Sequence, residues 1–148
     1  MTNEPRIGWD VYFMRMANFV ATRSTCDRKH VGAVIVRDKR VIASGYNGSL
    51  PGLPHCDDVG HDMHNGNCVR TVHAEVNAIA QAARYGTSLD GAAIYQNTYP
   101  CWKCFQSIAA AGIKVVIYEG DYRNDERVQA AATSLGLYLS GMLSRDTT

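Results

Sequence analysis

No apolar run in the 148 residues is long enough to span a bilayer. The opening MTNEPRIGWDVYF also lacks the basic, then apolar, then small-residue order of an export signal. A cytoplasmic home and no membrane partner are therefore expected. Net charge is nearly absent, because 15 Lys and Arg face 14 Asp and Glu, leaving +1. So balanced a surface gives no reason to expect nucleic acid as a partner, although a local basic pocket stays open. Internal repeats and low-complexity stretches are missing too. One domain over residues 1–148 is expected, of a size that buries a sufficient core without staples. An even cysteine count is also missing. Cys26, Cys56, Cys68, Cys101 and Cys104 make five, which argues against a disulfide framework. In a reducing compartment, clustered cysteines more often bind metal or do chemistry. All five histidines lie between His30 and His73, and three of them share residues 55–68 with two cysteines.

What is present reads as alternating elements. Trp9, Phe13, Met16, Ala17 and Val20 recur at helical spacing, which predicts a helix over 8–22. VGAVIVRDKRVIASGYN, 31–47, reads as a hairpin turning at Arg37-Asp38-Lys39-Arg40, with Gly45 and Gly48 ending it. Residues 48–70 show no periodicity, and a loop this long is usually functional. Helices are predicted over 73–86, 101–112 and 125–136, the first two closed by glycine. Strands are predicted over 92–97, 114–120 and 137–142. Strand–helix alternation in the second half implies parallel pairing with right-handed crossovers. The expected fold is α/β, a three-layer α/β/α arrangement around a five-stranded mixed sheet.

Two of the predicted helices begin with potential metal ligands. His73 opens one; Cys101 opens the other, with Cys104 one turn further on. Residues three apart on a helix share a face, so both sulfurs reach one ion. Pro100 stands beside the first turn, where a missing N–H costs nothing. One histidine and two cysteines leave the fourth place of a tetrahedral zinc open, the catalytic rather than the structural pattern. Glu75, two residues after His73, is placed to move protons between attacking water and a leaving nitrogen. A lone Cys-x-x-Cys is as often buried or redox-active, and a lone His-x-Glu carries little weight. A thioredoxin-like pair would follow the first strand of a βαβ unit, whereas this one follows the third strand. His-x-Glu and Pro-Cys-x-x-Cys, in this order, form the signature of zinc nucleobase deaminases.

Within that group the chain resembles the deoxycytidylate (dCMP) deaminases of bacteria and phages. The matching stretches are RSTCDRKHVGAVIV (23–36), GYNGSLPG (45–52), HCD (55–57), CVRTVHAEVNAI (68–79) and PCWKC (100–104). The resemblance covers nearly the whole chain. One departure is Asn97, where the family usually has threonine. The likeness implies a cytidine deaminase-like fold and hydrolysis of dCMP to dUMP and ammonia, which supplies dUMP for thymidylate synthesis. It implies zinc on His73, Cys101 and Cys104, with Glu75 as the proton shuttle. Asn47 would hold the base, with the backbone at Ala74 and Pro100 touching the ring. Asn47 has an equally weighted reading as a turn former. For the phosphate, Arg28 and Arg23 are the candidates, with Ser24 as a hydroxyl donor; the paired donors of arginine suit phosphate.

Cys26, Cys56 and Cys68 remain. With an imidazole they would fill a second, closed zinc site. His61 and His64 compete for the fourth place, and the G-H-x-M pattern favours His61 through its likeness to bacterial relatives. The alternative is three free buried thiols. The resemblance further implies a homohexamer activated by dCTP with Mg2+ and inhibited by dTTP, through the segment GYNGSLPG. Two other classes of function stay open. One is a sister deaminase acting on free cytidine or deoxycytidine, a riboflavin precursor or tRNA adenosine. The other is a non-catalytic, zinc-stabilised module, which would have no use for Glu75.

Overall fold

The computed structural model describes residues 5–120 and 125–147. Helix α1 spans Trp9–Ala21. It leads into the antiparallel pair β1 (Gly32–Arg37) and β2 (Arg40–Tyr46). The turn between them puts Asp38 and Lys39 at φ of 52° and 60°, the left-handed pair that matches strand twist. Helix α3 (Ala74–Tyr85), strand β7 (Ala93–Gln96), helix α4 (Trp102–Ala110), strand β8 (Val115–Glu119), helix α5 (Glu126–Leu135) and strand β9 (Tyr138–Met142) follow.

The five long strands form one mixed sheet in the order β2-β1-β7-β8-β9. β1 is antiparallel to both its neighbours, whereas β7, β8 and β9 run parallel. Alternation along the strands divides the core. Ile35, Ile94 and Val116 face Ala78, Phe105, Ile108 and Val128 of α3, α4 and α5. Val34, Tyr95 and Ile117 face Phe13, Met14 and Ala17 of α1. The expected three-layer α/β/α architecture is present, with α1 on one face and α3, α4 and α5 on the other. No helix among the described residues is long and apolar enough to cross a membrane.

Two expectations change. Gly45 does not end the hairpin but lies inside β2. A Cβ there would come within 2.5 Å of the Ala74 carbonyl oxygen and the Ala78 nitrogen, so its hydrogen lets the first turns of α3 press on the strand. The stretch 48–70 is also not featureless. It holds β3 (Gly48–Ser49), a short helix α2 (Cys56–Val59), the pair β4 (Met63–His64) and β5 (Asn67–Cys68), and β6 (Thr71–Val72), which pairs with β3. The β4–β5 turn is Asn65-Gly66, with φ of 50° and 80°, a standard two-residue hairpin signal.

Candidate metal and catalytic centre

His73 and Cys101 are the N-cap residues of α3 and α4. Both helices start at the carboxyl end of the sheet, where open α/β sheets place their ligand crevices. Extended backbone at each cap turns the side chain back over the first turn. The Cys101 sulfur thereby accepts the Cys104 N–H at 3.4 Å, and Cys104 brings its own sulfur to the same side. His73 Nδ1 lies 3.2 Å from Cys104 Sγ and 3.7 Å from Cys101 Sγ. These three donor atoms lie within 4.8 Å of one another. Zn–S and Zn–N bonds of about 2.3 and 2.1 Å in a tetrahedron separate ligand atoms by roughly 3.5–3.8 Å. The cluster fits a zinc ion. His73 and Cys101 are exposed while Cys104 is buried, so the centre opens to solvent on one side.

The three donors shift one another's protonation. The Cys101 thiol is held down at about 4 by its hydrogen bond with Cys104 and by His73, against the effect of burial. Sharing that bond, and buried, Cys104 is pushed upward instead. Contact with Cys101 raises His73, against burial. Glu75 is only 2% exposed, and burial raises its carboxyl above the ordinary carboxylate range, opposed by Cys104 and His73. A buried carboxyl with a raised pKa beside a cluster of metal donors is a candidate proton carrier.

A second cluster joins Cys26, Cys56, His61 and Cys68 within the same 4.8 Å limit. Cys26 Sγ stands 3.4 Å from His61 Nδ1, and the Cys56 and Cys68 sulfurs stand 3.6 Å apart. The other His61 nitrogen meets Asp27 at 2.9 Å, the outer carboxylate that commonly orients a ligating imidazole. His64 turns instead to Asp62 at 3.2 Å. Burial works against ionisation of Cys68, yet backbone N–H groups hold its thiol down at about 6. Four donors of this kind fit a closed zinc site.

The expected substrate residues fall in different places. Ala74 and Pro100 are fully buried at the two helix starts. Asn47 holds backbone: its Oδ1 accepts from Val31 N at 2.8 Å and its Nδ2 donates to Lys29 O at 2.6 Å. Ser24 is likewise engaged, its buried hydroxyl lying 3.2 and 3.1 Å from the carbonyls of Cys26 and Asn47. Arg28 places its guanidinium 3.3 Å from Met63 Sδ and 3.4 Å from Gly66 O on the β4–β5 hairpin. Arg23 is exposed just beyond α1. Ser24 thus directs its hydroxyl at backbone, while the exposed Arg28 uses only part of its five-donor fork in these two contacts. Sequence reading passed over Lys29. Its ammonium donates to Thr98 Oγ1 at 2.6 Å, three residues before Cys101.

Comparison with known proteins agrees with this geometry. The family model of the cytidine and deoxycytidylate deaminase zinc-binding region matches residues 7–119. ComE operon protein 2 of Bacillus subtilis is 50% identical over 132 residues, covering 89% of this chain and 70% of that protein. The deoxycytidylate deaminase of Schizosaccharomyces pombe is 38% identical over 149 aligned positions, covering 93% of this chain but only 46% of the yeast enzyme. This chain thus spans less than half of that relative's length. The crystal structure of the dCMP deaminase from cyanophage S-TIM5 in complex with dCMP and dUMP superposes with a TM-score of 0.79 at 28% identity. That match covers 94% of this chain and 100% of the phage chain.

Proposed function

The chain belongs to the cytidine and deoxycytidylate deaminase family, and from that premise we propose that it hydrolyses dCMP to dUMP and ammonia at the His73–Cys101–Cys104 centre. The observation that carries the proposal is a buried Glu75 with a raised carboxyl beside three converging zinc donors. The likeness to a phage enzyme crystallised with dCMP and dUMP supports the substrate.

His73, Cys101 and Cys104 hold the zinc. Bound there, the metal supplies the Lewis acidity that makes water nucleophilic near neutral pH. The chain's own residues handle the protons. Glu75 takes a proton from the attacking water and delivers it to N3 of the cytosine ring. It then carries the second water proton to the amino group on C4. The C4–N bond breaks, ammonia leaves, and the water oxygen remains as the uracil carbonyl. Every proton is accounted for, and no oxidant or reductant is needed. Burial of Glu75 keeps bulk water from competing for these transfers. An enzyme is favoured over a non-catalytic module because a purely structural zinc gives a buried carboxylate at this place no task.

We assign the Cys26–Cys56–His61–Cys68 cluster to a second, structural zinc that ties the 56–68 segment to the end of α1. Regulation by dCTP with Mg2+ and by dTTP through residues 45–52, in a homohexamer, belongs to the same reading. A hyperbolic dCMP saturation curve unmoved by either nucleotide would remove the regulation. The direct test of the activity compares dCMP, CMP, deoxycytidine and cytosine as substrates. Turnover of dCMP above the rest supports the assignment, and exclusive turnover of deoxycytidine would move it to nucleoside salvage.

A further inference from the structure

Two asparagines stand where the sheet stops. Asn47 follows the last residue of β2 and Asn97 the last residue of β7, the two neighbours of β1. Both make the same three hydrogen bonds to the segment that leads into β1. The Asn47 N–H donates to Val31 O at 3.2 Å, its Oδ1 accepts from Val31 N at 2.8 Å, and its Nδ2 donates to Lys29 O at 2.6 Å. One residue further along the segment, the Asn97 N–H donates to Gly32 O at 3.3 Å, its Oδ1 accepts from Gly32 N at 2.9 Å, and its Nδ2 donates to His30 O at 3.1 Å.

Ladder geometry says what the Asn97 carboxamide replaces. β1 and β7 are antiparallel with Ala33 opposite Gln96, so Gly32 and Asn97 form the next pair. Opposed residues of a hydrogen-bonded pair exchange both backbone bonds, and the next such pair lies two residues on. Asn97 gives its N–H to this exchange, but its side-chain oxygen receives the Gly32 N–H in place of its carbonyl. Its Nδ2 then serves His30 O, the acceptor that the N–H of Tyr99 would meet if β7 ran on. One carboxamide thus stands in for two backbone groups of a strand that has ended. It keeps the N–H of the buried Gly32 and the carbonyl of His30 paired while the chain turns off toward Cys101.

That exit is short and irregular. Residues 97–100 hold no helix or strand and lead directly to Cys101, the N-cap of α4. Side chains fix it: Gln96 Nε2 donates to Thr98 O at 2.9 Å, and Lys29 Nζ donates to Thr98 Oγ1 at 2.6 Å. Asn97 ties the first residue of the exit to the strand beside it. We infer that Asn97 is a positioning residue for the metal centre: its carboxamide lets β7 leave the sheet at a fixed point and so places the Cys101 sulfur against His73 and Cys104. The effect on metal binding follows from the ligand cluster, whereas an effect on turnover rests on the deaminase reading above.

The test loads wild type, Asn97→Ala and Asn97→Thr with cadmium and follows each cluster by cadmium NMR as a chelator is added. Two-sulfur and three-sulfur ligand sets give separate resonances. In Asn97→Ala the ion on His73, Cys101 and Cys104 should be held at least about tenfold less tightly, the scale for a residue that orients a ligand. The ion on Cys26, Cys56, His61 and Cys68 should keep its affinity. Asn97→Thr, whose hydroxyl can replace one of the two carboxamide groups, should lie between wild type and Asn97→Ala. The kcat for dCMP at saturating zinc should fall in the same order. Unchanged affinity at the three-donor centre of Asn97→Ala overturns the proposal. An equal loss at both clusters also overturns it, because a general loss of stability gives that result. If Asn97→Ala does not fold, the same two outcomes are read in Asn97→Thr. If the wild type holds metal at the three-donor centre but turns over no dCMP, the deaminase reading fails, and the metal affinities still decide the role of Asn97.

Discussion

At the residue scale, ligand chemistry separates the two clusters. His73, Cys101 and Cys104 make a three-donor set open to solvent, whereas Cys26, Cys56, His61 and Cys68 make a four-donor set. Purified protein should therefore carry two zinc ions per chain. Cys56→Ser should lose one of them, lower the melting temperature and leave the other ion in place, as read by atomic absorption and thermal unfolding. Zinc content unchanged in Cys56→Ser would remove the second site. Cys104→Ser should lose the other ion together with turnover. The first ligand set was legible from spacing, a histidine and a cysteine pair at two helix starts; the second was read from three leftover thiols near an excess of histidine and from the family likeness. The choice of His61 over His64 came from a local likeness, and the structure places His61 with the thiols.

At the element scale, what holds α3 and α1 to the sheet decides whether the centre is assembled. Gly45 allows α3 to touch β2. Gly45→Ala should destabilise the protein by about 1–3 kcal/mol, the cost of overpacking a tight contact. It should also displace the helix start that carries His73 and Glu75, so activity should fall further than stability alone explains. Across the sheet, the Tyr95 hydroxyl donates to Asp10 Oδ1 of α1 at 2.6 Å. Burial and Asp10 raise that phenol above its ordinary value. The folded protein therefore keeps a proton that the unfolded chain releases above about pH 10. The stabilising contribution is whole below that pH and is lost as pH climbs past it. Tyr95→Phe should cost about 1 kcal/mol at neutral pH, and the gap to wild type should narrow above pH 10 in denaturant titrations. Long elements were legible from periodicity, their ends falling within a residue or two of expectation. The small elements of 48–70 were not, because two-residue strands show no period. Only Asn65-Gly66 announced one of them.

At the scale of the whole molecule, the fold brings distant stretches to one crevice. The 29–32 segment, the start of α3 and the 96–104 segment are far apart in sequence. They meet because β1 and β7 are neighbours in the sheet and α3 packs over β1 and β2. The mixed sheet was legible from the order of strands and helices, since parallel pairing in the second half follows from crossover handedness. Which face each helix covers was not, because no single-sequence signal places α1 alone on its side. The most direct measurement follows the ultraviolet absorbance of dCMP with zinc-loaded protein, wild type beside Glu75→Ala, with zinc content determined on both. Steady conversion to dUMP by the wild type is expected, slowed at least about a hundredfold in the variant with zinc content unchanged. Absence of conversion by zinc-loaded wild type, or equal conversion by Glu75→Ala, would contradict the assignment of a Glu75-dependent dCMP deaminase.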